Sequence, residues 1–211
     1  MKVLSDSLLM QEDVPNELYR EFMQDIAAEI DRENRIINDL LTLVRLDKTS
    51  GDLNVTSVSV NETIELILKL MRPIARKQDV EVVFESNRSV TAEIDEVKIT
   101  LALTNLVENA IKYNKKHGFV KVALDADHQF FTVVVEDSGI GIPESSYEYI
   151  FQRFYREDKS HSKEIGGTGL GLAITRNVIL MHRGTITVSS VMGEGTTFTV
   201  KIPLIYIRQE G

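Results

Sequence analysis

Two glycine-rich stretches, one closing an apolar run and one opening another, set the frame for this chain. The first is Asp137-Ser-Gly-Ile-Gly-Ile-Pro143, which follows the strand-like run Phe131-Thr-Val-Val-Val-Glu136. The second is Gly166-Gly-Thr-Gly-Leu-Gly-Leu172, which opens a helical stripe of Leu170, Ile174, Val178 and Met181. A carboxylate held at a strand end can accept a hydrogen bond from an exocyclic amine such as the adenine 6-amino group. Gly139 and Gly141 let the backbone approach closely or take positive φ, although a plain Asp-Ser-Gly turn has the same composition. Gly167, Gly169 and Gly171 at a helix start expose N–H groups to an anion, and the helix dipole adds to the attraction. A flexible loop is the alternative. The spacing is not that of a P-loop, and it does not follow a strand as a dinucleotide fingerprint does. Together the two stretches describe two walls of a nucleotide pocket with a mobile cover between them.

A third element lies upstream, Asn105-Leu-Val-Glu-Asn-Ala-Ile-Lys-Tyr113. Asn105, Asn109 and Lys112 share one helical face, roughly opposite the apolar stripe of Ile99, Leu103, Leu106, Ala110 and Tyr113. Asparagine oxygens are hard ligands suited to Mg²⁺, and a lysine one turn away can neutralise phosphate oxygens. A solvated helix face would read the same way. Between the glycine clusters lies Ile150-Phe-Gln-Arg-Phe-Tyr-Arg156. Phe151 and Phe154 are candidates to pin a lid to the body. Arg153 or Arg156 is a candidate to stabilise charge during phosphoryl transfer. An amphipathic turn with surface arginines is the alternative there. The four histidines, His117, His128, His161 and His182, lack metal-ligand spacing and read as surface or structural residues.

Residues 1–48 read as helix, turn, helix. Leu18, Phe22, Ile26, Ile30, Ile37, Leu41 and Val44 form one stripe. Asp13-Val-Pro-Asn16 separates the helices, with Asn16 as the expected N-cap. The first helix, ending near Gln11, is much shorter than the second, so part of the long helix is left for a partner, most simply a second copy. The polar run Lys48-Thr-Ser-Gly-Asp52 marks a boundary. Beyond it, Val80, Val82 and Phe84 alternate with polar neighbours except at Val83, the runs 119–125 and 129–136 are strand-like, and a final hairpin turning at Gly193-Glu-Gly195 alternates. The expected fold is α+β: an N-terminal antiparallel helical hairpin over residues 1–50, then a two-layer α/β sandwich over 51–211, one sheet covered by helices on one face.

The net charge of −8 argues against nucleic acid or anionic membrane as a nonspecific partner. The absence of cysteine excludes disulfides, zinc–thiolate sites and a cysteine nucleophile. No apolar run approaches the ~20 residues of a membrane span, so the segment is expected to be cytoplasmic and to make no membrane contact.

With these motifs in this order, the chain resembles the catalytic core of a two-component sensor histidine kinase, whose ATP-binding part has the Bergerat fold. Asn105 to Tyr113 is similar to the family's N box, Asp137 to Gly141 to its first glycine box, and Phe151 to Arg156 to its phenylalanine box. Gly167 to Gly171 is similar to the second glycine box, and Gly193-Glu-Gly-Thr-Thr-Phe198 to the segment closing the pocket. Ile30 to Leu46 looks like the second helix of the dimerisation domain. The resemblance implies ATP and Mg²⁺ as cofactors, with Asn109 and Asn105 holding the metal. It also implies Asp137 reading adenine with Tyr113 packed nearby, and Lys112 with Arg153 or Arg156 on the phosphates. Gly139, Gly141, Ile142, Phe154, Gly167, Thr168, Gly169, Leu170, Gly171 and Thr197 complete the implied nucleotide site. It implies a homodimer through the hairpin, a response-regulator receiver domain as partner, and membrane anchoring of the intact protein through an N-terminal sensor region.

The chain departs from the family in one respect. No histidine lies in a His-Glu/Asp box, and Met1-Lys-Val-Leu-Ser-Asp-Ser-Leu-Leu9 looks like the part of the first helix just downstream of one. The expectation is therefore a fragment that binds Mg-ATP without phosphorylating itself. Two other readings stay open: a non-kinase ATPase using Glu108 to activate water, and a dimerisation module with a vestigial pocket.

Overall fold

A computed structural model describes residues 15–48, 53–157 and 167–207. The expected short first helix and His161 lie outside those residues. The long helix, α1 (Asn16–Lys48), begins at Asn16 itself. The Pro15 carbonyl accepts the N–H groups of Leu18 and Tyr19, so Pro15, and not Asn16, occupies the cap position. Only the last turns of α1 reach the body, where Leu43 and Leu46 are buried. On its other face, Leu18, Ile30, Ile37, Leu41 and Val44 remain exposed in the single chain.

The body starts with β1 (Thr56–Ser59) and α2 (Val60–Lys77). Ser59 caps α2 by accepting the Glu62 N–H, the Ser-x-x-Glu spacing that starts helices. Strands β2 (Val80–Ser86) and β3 (Thr91–Ile94) follow, and β3 pairs antiparallel with β1 as a two-stranded ribbon. Helix α3 (Glu96–Lys112) is capped by Asp95, whose Oδ1 accepts the Lys98 N–H at 3.1 Å. Strands β4 (Gly118–Ala126) and β5 (Phe130–Asp137) form a hairpin. After a 3₁₀ turn at Glu144–Ser146 come α4 (Gly171–Met181), β6 (Thr185–Val191) and β7 (Gly195–Pro203).

The main sheet has the order β2-β4-β5-β7-β6. Strand β2 runs parallel to β4, and every other neighbour is antiparallel. A parallel pair needs a crossover, and here β3 and α3 supply it. Val120, Val122, Leu124, Phe131, Val133, Val135, Phe198, Val200 and Ile202 are buried at alternate positions, the period-2 signature of a half-buried sheet. Helices α2, α3 and α4 contribute Ile64, Ile67, Leu68, Ile99, Leu103, Leu106, Ile174 and Val178 to the same core. The sheet is thus covered by helices on one face, as the alternating strands predict.

This layering positions the site. Asp137, the last residue of β5, pairs with Val120 on one side and Thr196 on the other. It therefore sits at the end of three adjacent strands, directly below the C-terminal end of α3.

Candidate nucleotide site

A cavity of about 400 Å³ opens between α3, the end of β5, the 140–157 segment and the start of α4. That size suits a small-molecule ligand. Its floor is Asp137, only 8% exposed. The Oδ1 atom accepts the Gly139 N–H at 2.8 Å and the Thr196 N–H at 3.3 Å. Among the described residues, Oδ2 has no hydrogen-bond partner, which leaves an acceptor for a ligand amine. Burial pushes the carboxyl up to about 6. The two N–H groups oppose that rise, and the neighbouring Glu136 charge adds to it.

The turn after Asp137 needs its glycines. Gly141 has φ +78°, and a Cβ there would overlap the Val191 carbonyl. A Cβ on Gly139 would lie 2.7 Å from Asp137 Oδ1 and would collide with the Tyr113 carbonyl. The turn is thereby tied to α3, since the Ile140 N–H donates to Tyr113 O at 3.1 Å.

One wall is the exposed side of α3, which contributes Asn105, Glu108, Asn109, Lys112 and Tyr113. Asn105 Nδ2 donates to Gly171 O at 3.2 Å and so ties α3 to the first turn of α4. Burial lowers the Lys112 pKa, Glu108 opposes that, and the positive charges of Arg35 and Arg156 add to it. Tyr113 is raised, by burial first, with Arg156 opposing and Glu108 adding.

The opposite wall is glycine-rich. Gly167, Thr168, Gly169 and Gly171 line the cavity. A Cβ on Gly167 would stand 3.3 Å from both Lys112 Nζ and the Tyr113 hydroxyl. Gly169 has φ +72°, and its carbonyl accepts the Phe154 N–H at 2.9 Å. The 150–157 segment thus meets the glycine wall through backbone, while Phe151 anchors it by packing edge-on against Phe198 at 6.4 Å. Tyr155 completes the anchor by donating its hydroxyl to Ser146 Oγ at 3.0 Å.

The cavity therefore gathers Asn105, Asn109, Lys112, Tyr113, Asp137, Gly141, Ile142, Arg156, Gly167, Thr168, Gly169 and Gly171. Five expected residues lie elsewhere. Thr197 pairs with Glu136 on the opposite side of the strand, and Thr196 takes the cavity position because side chains alternate along β7. Leu170 is fully buried in the core. Phe154 has φ +64° and is 56% exposed, so Phe151 and Tyr155, not Phe154, pin the segment. Arg153 is exposed and outside the lining, which leaves Arg156 as the arginine of that segment facing the cavity. Gly139 shapes Asp137 from below without lining.

The cavity also recruits residues that the sequence reading omits. Thr196 was legible, since it shares strand parity with the core residue Phe198. Arg35 and Asp39 of α1 had no local signal. Thr168 Oγ1 donates to Asp39 Oδ2 at 2.6 Å, across 129 residues of sequence. Among the described residues, no three His, Cys, Asp or Glu side chains cluster as a metal site, and no helix is long and apolar enough to cross a membrane.

Residues 94–205 match the family model described as histidine kinase-, DNA gyrase B-, and HSP90-like ATPase. The chain belongs to that family. Those residues run from the end of β3 past the end of β7 and carry most of the cavity lining. Curated relatives place the chain on the sensor histidine kinase branch, as a catalytic core. It is 36% identical over 185 residues to the sensor histidine kinase WalK of Bacillus subtilis, covering 86% of this chain and 30% of WalK. It is 33% identical over 205 residues to the sensor-like histidine kinase SenX3 of Mycobacterium tuberculosis, covering 97% of this chain and 50% of SenX3. The chain thus spans half or less of these relatives. Among solved structures, the nucleotide-free catalytic domain of histidine kinase ThkA superposes with a TM-score of 0.66 at 30% identity, covering 74% of this chain and 100% of that one. ThkA in complex with the response regulator TrrA gives 0.76 at 26% identity, over 96% of this chain and 56% of that one.

Proposed function

We propose that the cavity binds Mg-ATP and that the intact protein transfers the γ-phosphoryl group to a histidine and then to a response-regulator aspartate. The observation that carries this reading is Asp137. A buried carboxylate at a strand end, with one oxygen held by two backbone N–H groups and the other without a partner among the described residues, is an acceptor suited to a planar amine such as that of adenine. Family membership and the kinase names of the relatives support the same choice.

The glycine wall fits a triphosphate. Its backbone can approach an anion where a Cβ would crowd Lys112 and Tyr113, and Lys112 and Arg156 supply the positive charge. Asn105 and Asn109 fit Mg²⁺, an ion usually held by few protein oxygens together with phosphates and water. The Asn105 amide is oriented by its bond to Gly171 O, which leaves its oxygen as a hard donor. Bound Mg²⁺ would offset charge on the phosphate oxygens. The protein's own part is positioning: Asp137 orients the base, Lys112 and Arg156 hold the phosphates, and the 150–157 segment shields them from water.

The phosphoacceptor histidine is not found among the 211 residues in its usual box, so this chain is proposed to bind nucleotide without phosphorylating itself. The exposed stripe of α1 supports a homodimer through this helix. A receiver domain is the proposed partner, and the division at residues 50–51 is the proposed domain boundary. Calorimetric titration of Mg-ADP into the chain tests the reading. Saturable binding is expected, and no heat at millimolar ADP would overturn it.

A further inference from the structure

Helix α1 is not a bystander to the cavity. Arg35 and Asp39 lie one turn apart on it and both line the pocket. Asp39 accepts the Thr168 hydroxyl at 2.6 Å, and the Leu170 N–H donates to the same hydroxyl at 3.2 Å. The glycine wall is thereby bonded to α1 at one point and to the 150–157 segment, through Gly169 O and the Phe154 N–H, at another. Arg35 Nε donates to Asp31 O at 3.3 Å, which lays the guanidinium along its own helix. Its charge is felt at Lys112, as is that of Arg156. Three cations from three separate segments, Arg35, Lys112 and Arg156, thus line the same cavity, and Lys112 Nζ stands beside its glycine wall at Gly167.

We propose that Arg35 is a phosphate-binding residue of the nucleotide site, delivered across from α1 by the Asp39–Thr168 hydrogen bond. The inference rests on the nucleotide reading above. A guanidinium suits the task because its planar fork pairs with phosphate oxygens and stays charged at any working pH. The consequence is a coupling between helix and ligand. If α1 shifts so that Arg35 leaves the cavity, nucleotide affinity falls, and by linkage bound nucleotide holds α1 in place to the same degree. The body would then sense the position of its own dimerisation helix through one side chain.

The test compares Mg-ADP with adenosine, which shares the base and lacks the phosphates, by calorimetry on the full 211-residue chain. Arg35→Ala should weaken Mg-ADP by about tenfold or more, as expected for loss of a hydrogen bond to a charged group, and leave adenosine unchanged. Arg35→Lys should recover part of the loss. Unchanged Mg-ADP binding by Arg35→Ala would overturn the proposal while leaving the nucleotide reading intact. Equal losses for both ligands would also overturn it, because they would show Arg35 supporting the pocket and not the phosphates. Absence of Mg-ADP binding by the parent chain would instead sink the nucleotide reading, and this inference with it.

Discussion

Replacing Asp137 by asparagine changes one atom at the floor of the cavity and should cost most of the adenine affinity. The substitution is isosteric. The amide oxygen can still accept the Gly139 and Thr196 N–H groups that Oδ1 accepts now, so the fold around it should persist. The other atom becomes an NH₂ group, and an adenine 6-amino donor then meets a donor. The loss is a hydrogen bond to a charged acceptor, about 1.5–3 kcal/mol, or about tenfold to a hundredfold in Kd. A pH signature accompanies it. The carboxyl is held at about 6 by burial, so its ionised fraction, and with it the affinity for an amine donor, rises about tenfold between pH 5 and 7. Asp137→Asn should show no such rise. Titration of adenosine, which has no phosphate to titrate, at several pH values separates the two. Parent-like affinity in Asp137→Asn would refute the assignment of this carboxylate to the base.

Further outcomes follow from the same geometry. Gly141→Ala should lower stability by at least about 2 kcal/mol, because φ is +78° and the new Cβ meets the Val191 carbonyl; thermal unfolding should show it as a fall of about 4–8 °C. His182 is buried, its Nε2 accepts the Asp95 N–H at 3.0 Å, and its Nδ1 donates to Val178 O. Burial lowers its pKa from 6.5, so the unfolded chain binds the proton more readily. Stability from this residue is full above 6.5 and is lost as pH falls through that value toward the folded pKa. His182→Ala should be destabilised by about 1–3 kcal/mol at pH 7. Its gap in denaturant midpoint from the parent should narrow between pH 7 and 5, a comparison that cancels the Asp137 carboxyl, whose raised pKa of about 6 adds stability as pH falls. For Glu108→Gln the kinase reading expects slow ATP turnover in both proteins, whereas rapid hydrolysis by the parent, abolished in the variant, would favour the ATPase alternative.

The sheet and its helical cover were legible because alternation and the three-four spacing report burial directly. Phe198, Val200 and Ile202, alternating with Thr197, Thr199 and Lys201, could only be inward positions. Helix α2 escaped because Pro73 stands inside it. Proline is a breaker on paper, yet it lies on the exposed face here, where water can satisfy the Lys69 carbonyl it leaves open. The four-residue strands β1 and β3 are too short to show a period. Within the site, the glycines and Asp137 were readable from composition and position. Thr197 was misplaced by one residue, an error that strand parity could have corrected.

Arg35 and Asp39 belong to a different class of omission. On a helix wheel they are polar residues beside an apolar stripe, and nothing distinguishes them from Glu29 or Asn38. Periodicity tells which face of α1 is apolar, but not which polar residues lie within reach of a loop 129 positions away. That information exists only once the last turns of α1 are seated on the body by Leu43 and Leu46. Seating depends on burial, whereas the contact it creates is polar. A shift of one helical turn, about 5.4 Å, would break the contact, although nearby apolar residues could take over the seating. The hydrophobic contact is therefore tolerant of movement and the polar one is not. This is the arrangement expected if the position of α1 is meant to be read by the nucleotide site.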